Sequence, residues 1–402
     1  MNELLYKTKK MDLEVRRWRR TLHQYPELGF EEFNTSNFIL RKLNEFNINN
    51  VKRIAGTGLV GLIKGKKEGP TILLRADIDG LPINDEKKVN YASKVNGKAH
   101  LCGHDAHTSI LLCALKVIKD HGIERGNVKF IFQPAEEGLA GAKKVIEEGV
   151  LENPKVDTAV GLHVYPNEKT GRVAICPGPC TSFSDRFNLT IIGKGGHAAH
   201  PHMAVDALAI GSIIVNALQQ VVSRQIDPLS PSVLTIGKIS GGSAYNAIAS
   251  SVTLEGTVRL LDESLRYEVK QKIEDIVRGI CSSFDATFEL NYHHGYPSVV
   301  NDEALIPKFK QTVSQILGED SFSIINPSMG GEDFSYYTQK VPGLFFRLGT
   351  RCNEETSYPL HHPKFDIDEE ALSLGAALLS QYALNFLHHH DSHRDEKINL
   401  IN

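Results

Sequence analysis

A chain of 402 residues is too long for one comfortable hydrophobic core and is about the right length for two domains. Its hydrophobic fraction of 41% is ordinary for a globular protein, and a formal net charge of -3 gives no reason to expect nucleic acid or an anionic membrane as a partner. The charged N-terminal segment has no signal-peptide core, and we see no apolar run of the roughly 18 residues that span a bilayer, so we expect a cytoplasmic protein.

Apolar runs alternate with an amphipathic segment between residues 58 and 164. TILLRADID (71–79), NVKFIFQP (127–134) and VDTAVGLHV (156–164) are rich in β-branched residues, as strands buried on both faces should be. The segment HTSILLCALKVIKDHG (107–122) has helical periodicity and ends at a glycine. This βαβ order predicts a mostly parallel sheet.

The pattern changes near residue 177. The predicted elements that follow are a strand (185–195), a helix (204–222), two strands (232–241 and 251–261), a helix (263–284) and a strand (286–295). This β-α-β-β-α-β order is typical of a ferredoxin-like sandwich. We therefore predict an α/β protein whose catalytic domain, residues 1–181 and 293–402, is interrupted by an inserted domain of residues 182–292.

The motif HLCGHDAH (100–107) places Cys102 and His104 two positions apart on a glycine-bearing loop, where both side chains can converge. A thiolate beside an imidazole suits Zn, Mn, Co or Ni and suits Mg or Ca poorly. The alternative is a buried cysteine in a loop that caps a helix.

The motif QPAEEG (133–138) places Glu136 and Glu137 at the end of a predicted strand. The carboxyl edge of a parallel sheet is where ligands bind in such folds. Because adjacent side chains diverge, the natural division is one metal ligand and one general base. The alternative is a solvated acidic turn.

Further histidines follow other predicted strands. His163 ends an apolar strand and, taken alone, is more often a core histidine than a ligand. The loop PLHHPKF (359–365) offers His361 and His362. Taken together, the loops with these cysteine, histidine and glutamate side chains suit two metal ions about 3.5–4 Å apart that activate a shared water and polarise a carbonyl.

Seven motifs occur in order along nearly the whole chain: RRTLHQYPELGFEE (19–32), RADIDGLPI (75–83), CGHDAHT (102–108), QPAEEG (133–138), GKGGHAAHPH (193–202), MGGEDFSYY (329–337) and LHHPKF (360–365). Together they resemble the M20 family of metallopeptidase-like amidohydrolases, in the branch of hippurate hydrolases, auxin-conjugate hydrolases and N-acyl-amino-acid deacetylases. The resemblance implies hydrolysis of N-acyl amino acids, small-molecule substrates. The alternatives are a dipeptidase or carboxypeptidase of the same fold, or a non-catalytic binding protein.

The resemblance also implies a site of two divalent transition-metal ions (Mn, Zn, Co or Ni), with Glu136 as the base. The implied ligands are Cys102, His104, Glu137, His163 and His361. His361 is preferred to His362 because the family motif reads Leu-His-Ser/Asn-Pro. Asp79 matches the acidic group that orients Glu136 or a ligand, since an unsupported ligand is too loose for the geometry.

In the inserted domain the resemblance implies dimerisation. His197 matches the histidine that reaches the partner subunit's active site and stabilises the oxyanion, so we expect a homodimer or a larger homo-oligomer. Asn246 and Arg259 match positions that hold the substrate's carboxylate, a group that arginine binds in a bidentate way. The chain departs from the family at Ala249, where proline is frequent.

Two glycine-containing motifs carry weaker signals. GTGLVG (56–61) matches a dinucleotide-binding pattern, but the residues after it are typical of a strand, so we predict a hairpin-type turn. The glycines of MGGEDF (329–334) permit close backbone approach, and we expect Glu332 or Asp333 to shape the substrate pocket.

Overall fold

The computed structural model describes residues 2–389, which fall into two compact units. The first unit comprises the described residues up to 178, residues 299–326 and those from 333 onwards, and the second comprises 179–298 and 327–332. The second unit thus begins and ends a few residues outside the predicted insertion of residues 182–292.

The helices and strands are named here in chain order. Among the described residues the helices are α1 (Glu3–Lys10), α2 (Asp12–Gln24), α3 (Phe33–Glu45), α4 (His104–His121), α5 (Gly141–Glu147), α6 (Ala207–Arg224), α7 (Ser264–Ser283), α8 (Ile306–Leu317), α9 (Ser335–Thr338) and α10 (Glu370–His389). The strands are β1 (Val51–Ile54), β2 (Gly58–Lys64), β3 (Lys67–Asp77), β4 (Arg125–Gln133), β5 (Thr158–Lys169), β6 (Val173–Ile175), β7 (Gly178–Pro179), β8 (Phe183–Ile192), β9 (Gly196–His197), β10 (Ser232–Gly241), β11 (Ala247–Ile248), β12 (Ser251–Leu260), β13 (Thr287–His293), β14 (Val300–Asn301), β15 (Phe322–Ile324) and β16 (Gly343–Arg351).

The first unit is built on an eight-stranded sheet in the order β1-β2-β4-β3-β5-β16-β6-β15. Its centre, β4-β3-β5-β16, is parallel, and β1 and β2 extend one edge in antiparallel fashion. The predicted mostly parallel α/β fold is confirmed. Because parallel strands end at the same edge, the loops after β3, β4 and β5 converge there.

Helix α4 crosses from β3 towards β4 and packs against α2 and α10. Nearly all of its residues are buried, including Ile110, Leu111 and Leu115, so the helix belongs to the core rather than to the surface. Its apolar packing fixes the position of its N-terminal turn, which carries His104.

The GTGLVG segment forms a turn between antiparallel strands, as predicted. Strands β1 and β2 pair from Ile54↔Gly58 outwards, and no helix follows the motif. Gly56 adopts φ +81 in this turn, which explains a glycine there without a bound nucleotide.

The second unit contains a four-stranded antiparallel sheet in the order β10-β12-β8-β13. Helices α6 and α7 pack against each other and against this sheet. Its chain order, β8-α6-β10-β12-α7-β13, is the β-α-β-β-α-β order that the sequence predicts.

Helix α6 is long and apolar enough to cross a membrane by length and composition, which the sequence analysis did not anticipate. A core helix passes the same test. The helix buries Ile210, Ile214, Leu218 and Val221 in the core of the second unit, at the spacing of one helical face.

A buried lysine closes the loop that precedes β5. Lys129, on β4, is 4% exposed, and its Nζ donates hydrogen bonds to the carbonyl oxygens of Val150 (2.9 Å), Glu152 (2.6 Å) and Pro154 (3.0 Å). Burial lowers the pKa of Lys129 to about 8. Three carbonyls of one loop thus depend on one side chain.

Lys129→Met should lower the free energy of unfolding at pH 7.5 by about 1–3 kcal/mol, because these carbonyls lose their donor. Between pH 8 and 10.5 the folded lysine binds fewer protons than the unfolded one, so the wild type should gain stability relative to the variant as the pH rises through that window. Urea unfolding at pH 7.5 and 9.5 measures both effects. The exposed Lys66→Met is the control, and equal stabilities of the two variants would refute the prediction.

Candidate metal centre

Cys102 and His104 flank Gly103 at the start of α4. Gly103 adopts φ +91, and a Cβ on it would lie 2.3 Å from Cγ2 of Val164, so the tight approach of this loop to β5 requires glycine. The turn places the cysteine and the histidine beside His163, which lies within β5.

The predicted ligands lie together in the first unit. The donor atoms of these ligands and of Glu136 form three overlapping triads, and within each triad the donor atoms lie within 4.8 Å of one another. The triads are Cys102, His104 and His163; Cys102, Glu137 and His361; and His104, Glu136 and Glu137. Sγ of Cys102 is 3.3 Å from Nε2 of His163, and Oε1 of Glu137 is 3.3 Å from Nε2 of His361. Two of the triads share Cys102.

Hydrogen bonds orient the rings of His104 and His163 through Nδ1 and leave Nε2 of each ring available to a metal ion. Nδ1 of His104 donates to the backbone oxygen (2.9 Å) and the carboxylate (3.1 Å) of Asp79, and Nδ1 of His163 donates to the oxygen of Val164 (2.8 Å). Since Nδ1 carries the proton of these hydrogen bonds, Nε2 presents a lone pair in the neutral ring. Nε2 of His104 and Oε1 of Glu137 are buried without a hydrogen-bond partner, which is unusual for buried polar atoms.

Carboxylates dominate the electrostatic environment of Cys102. Burial raises the pKa of the Cys102 thiol, and the carboxylates of Glu137 and Glu136 raise it further. Burial lowers the pKa of His163, so its ring is neutral, as ligation requires. A divalent cation is the kind of charge that such a cluster stabilises.

The pKa of His104 reflects the same excess of carboxylates. Burial by itself lowers its pKa, but the carboxylates of Asp77 and Asp79 outweigh burial and raise the pKa to about 10. With one thiol, imidazoles, carboxylates and two orphaned donor atoms, the donor set fits transition-metal ions.

His361 and His362 have different surroundings. His361 adopts φ +67, and its N–H donates to the oxygen of Leu101, which places its ring among the donors. The ring of His362 stacks on Tyr358 at 4.5 Å, and its Nδ1 accepts from the N–H of Lys364. Of the two, the structure brings only His361 to the cluster.

Glu136 and Glu137 diverge, as adjacent residues do. The N–H of Glu137 donates to Oδ2 of Asp79 (3.0 Å), and Oε1 of Glu136 accepts from the N–H of Asp333 (3.3 Å). Glu136 is 6% exposed. Glu137 belongs to two of the three triads, whereas Glu136 belongs to one of them and also contacts the segment that carries Asp333.

A buried polar network supports this cluster. Arg75 donates to Gln133 (2.9 Å), Asp77 (2.6 Å) and Asp333 (2.8 Å), and Oδ1 of Asp77 also accepts from Nδ1 of His107 (2.6 Å). Nε2 of His107 accepts from the N–H of Val164, the residue after His163. Asp77, His104 and His107 also have metal-donor spacing, but these bonds already engage the ligand atoms of Asp77 and His107.

Sequence reasoning missed Arg75, Asp77 and His107, although a signal for them exists. Arg75 and Asp77 alternate with Asp79 in RADID, and residues two apart share one face of a strand. His107 lies three residues after His104, on the same face of α4. The predicted Asp333 belongs to this network, and the predicted Glu332 is buried in the second unit.

The remaining predicted residues lie in the second unit. β9 pairs with β11, which sets His197 opposite Ala247 and beside Asn246, whose oxygen accepts from the N–H of Ala198. His197 is exposed. Arg259 lies on β12, and its half-buried side chain makes no hydrogen bond or ion pair within the described part of the chain, although Asp185 acts on it electrostatically.

Fold and donor cluster define a two-unit α/β protein with a candidate dinuclear metal centre at the carboxyl edge of its parallel strands. The chain belongs to Peptidase family M20/M25/M40, which matches residues 73–385.

Named relatives span nearly the whole chain. It is 41% identical to an N-acetyl-L-cysteine deacetylase of Bacillus subtilis, over 94% of this chain and 89% of the relative. It is 38% identical to thermostable carboxypeptidase 1 of Saccharolobus solfataricus, over 96% and 99%. A solved structure, the YXEP protein of Bacillus subtilis, described as a dinuclear metal binding peptidase from the M20 family, superposes with a TM-score of 0.81 at 33% identity, over 94% of this chain and 99% of that one.

Cys102→Ser should weaken zinc binding by more than about 10-fold, because Cys102 belongs to two triads and even outer contacts of ligands are worth 10- to 100-fold. Competition with a chelator measures the affinity. Cys113→Ala is the matched control, since Cys113 is also a buried cysteine but lies on α4, outside the cluster. Equal affinities in both variants would exclude the thiol as a donor.

Proposed function

We propose that this protein hydrolyses the amide bond of N-acyl amino acids at a two-ion centre. The ligands are Cys102, His104, Glu137, His163 and His361. The observation that carries the proposal is the position of Glu136, a buried carboxylate within 4.8 Å of the donor atoms of His104 and Glu137. The likeness to an N-acetyl-L-cysteine deacetylase supports this substrate class.

Two divalent ions, when bound, supply the Lewis acidity that polarises the substrate carbonyl and acidifies water. Glu136 accepts a proton from the water that attacks the acyl carbon, and passes that proton to the departing amine nitrogen. Its hydrogen bond from the N–H of Asp333 fixes one carboxylate oxygen, and its burial excludes bulk water. Asp79 orients the loop that carries Glu136 through the N–H of Glu137.

His197 supplies a hydrogen bond to the oxyanion in the active site of a partner subunit. Its Nδ1 accepts from the N–H of Ala199 (3.1 Å), so the proton is on Nε2, at an exposed position. A preorganised donor of this kind is worth about 100- to 1000-fold in turnover. Apolar side chains exposed on the second unit, such as Leu208 and Ile213 on α6, support contact with a second copy.

Arg259 and Asn246 bind the carboxylate of the amino-acid product. Burial lowers the pKa of the half-buried Arg259 guanidinium even though the carboxylate of Asp185 raises it, so a further anionic group beside this charge would be favourable. We therefore expect the amino-acid half of the substrate to need a free carboxylate.

A peptidase of the same fold is the second candidate, favoured by the likeness to a carboxypeptidase. The two activities differ in the group before the scissile bond: a dipeptide carries a free ammonium there, and an N-acyl amino acid does not. Both retain the carboxylate that Arg259 would bind.

A panel of N-acetyl, N-benzoyl and dipeptide substrates, assayed with the metal-loaded protein, tests the substrate class. We expect N-acyl amino acids to have the higher kcat/KM. Glu136→Gln should abolish hydrolysis and leave the metal content unchanged, because the amide cannot take the proton. Near-normal turnover of this variant would refute the role of Glu136, and metal binding without turnover in the wild type would indicate a binding protein.

Mixing His197→Ala with Glu136→Ala tests the sharing of residues between subunits. Each variant alone should be inactive, but a mixed dimer contains one active site with both residues intact. We therefore expect partial recovery of activity after subunit exchange, measured against each variant alone. Failure to recover in a mixture shown to contain hybrid dimers would place both residues in one chain's site.

A further inference from the structure

Glu32 connects the N-terminal segment to the loop that carries the two glutamates. Its side chain is fully buried. Oε2 accepts from the hydroxyl of Thr57 in the β1–β2 turn (2.5 Å), and Oε1 accepts from the N–H of Ala135 (2.9 Å). Thus a residue far from the metal donors in sequence holds the residue before Glu136.

Ala135 adopts a backbone conformation that alanine seldom takes. Its φ is +57, in the left-handed region, where a Cβ is sterically unfavourable. Such a conformation persists only when its surroundings over-determine it. The surroundings here are the hydrogen bond from its N–H to Glu32 and the bond from the N–H of Gly141 to its carbonyl oxygen (2.9 Å).

Two carboxylates therefore hold the loop on opposite sides of Glu136. Glu32 takes the N–H of Ala135, and Asp79 takes the N–H of Glu137 (3.0 Å). The direction of the Glu136 and Glu137 side chains depends on both peptides, because each Cα–Cβ vector follows from the backbone beside it.

We propose that Glu32 is a positioning residue for Glu136 and Glu137, acting through the hydrogen bond to Ala135. Without this acceptor, the N–H of Ala135 is unsatisfied in the interior and the strained φ relaxes. Both glutamates then shift, and a displacement of about 1 Å can cost 10²-fold in rate. The catalytic part of this inference rests on the proposed function; the metal-binding part does not.

The chemistry of the position identifies a matched variant. Burial raises the pKa of Glu32 to about 7, so a neutral side chain is tolerated there. Glutamine retains an oxygen for the N–H of Ala135, and its amide can donate to Thr57. Alanine retains neither contact.

The test compares Glu32→Ala, Glu32→Gln and the control Thr57→Val. Glu32→Ala should lower kcat by about 10- to 100-fold with KM within about 3-fold, and weaken zinc binding by about 10-fold in chelator competition. Glu32→Gln and Thr57→Val should stay within about 3-fold of the wild type in both quantities, because both keep the acceptor for Ala135. Urea unfolding reports the stability of each variant separately.

Ala135→Gly provides an independent check, since glycine adopts φ +57 without strain. In the Glu32→Ala background it should restore part of the lost kcat and zinc affinity, which a general loss of stability would not predict. If Glu32→Ala does not fold, Glu32→Asp replaces it in the test. Aspartate keeps the carboxylate, but its shorter side chain moves the oxygen away from the N–H of Ala135.

Three outcomes would overturn the proposal: wild-type kcat and zinc affinity in Glu32→Ala, equal losses in Glu32→Ala and Glu32→Gln, or equal losses in Glu32→Ala and Thr57→Val. If the wild type hydrolyses no N-acyl amino acid, the proposed function fails. The zinc affinities of the same variants then still decide whether Glu32 positions the loop.

Discussion

The carboxylate of Asp79 is the contact on which the geometry of the candidate centre depends. One oxygen accepts from Nδ1 of His104, and the other accepts from the N–H of Glu137. A single side chain after β3 therefore contacts the ring of one candidate metal donor and the backbone of another. Since these two candidate donors come from α4 and from the loop after β4, this carboxylate links the two segments.

A buried network of charged side chains around Arg75 and Asp77 lies close to this contact. Burial by itself raises the pKa of Asp77, but Arg75 and the neighbouring histidines outweigh burial and lower it. Removing one member of such a network leaves a buried charge without its partner, which is far more costly than never placing the charge there. The network thus holds Asp333 and Gln133 in defined positions, and Asp333 in turn holds Glu136 through its N–H.

Periodicity predicted the fold well because it reports burial directly. The predicted strand 71–79 begins four residues after the start of β3 at Lys67 and runs two residues past its end at Asp77, where the N–H of Ile78 still donates to the oxygen of Gln133. The helix predicted from residue 107 begins at His104, because the turn at Gly103 has no apolar signal. From its own sequence position, His163 is typical of a core histidine, and only the fold shows that its donor atom lies within 4.8 Å of those of Cys102 and His104. The structure distinguishes His361 from His362 by the positive φ of His361 and by the stacking of the His362 ring on Tyr358. Neither feature can be read from the adjacent residues in the sequence.

Contacts far apart in sequence explain why the N-terminal helices belong to the site although no metal donor lies on them. Arg19 on α2 is 1% exposed and ion-pairs with Asp105 (3.0 Å), Asp366 (2.7 Å) and Glu369 (3.2 Å). Asp105 follows His104, and Asp366 follows the loop of His361. One guanidinium therefore links two segments that carry candidate metal donors, as its planar, multidentate geometry allows. A helix that precedes all the candidate donors in the chain therefore helps to hold the segments next to His104 and His361 in place.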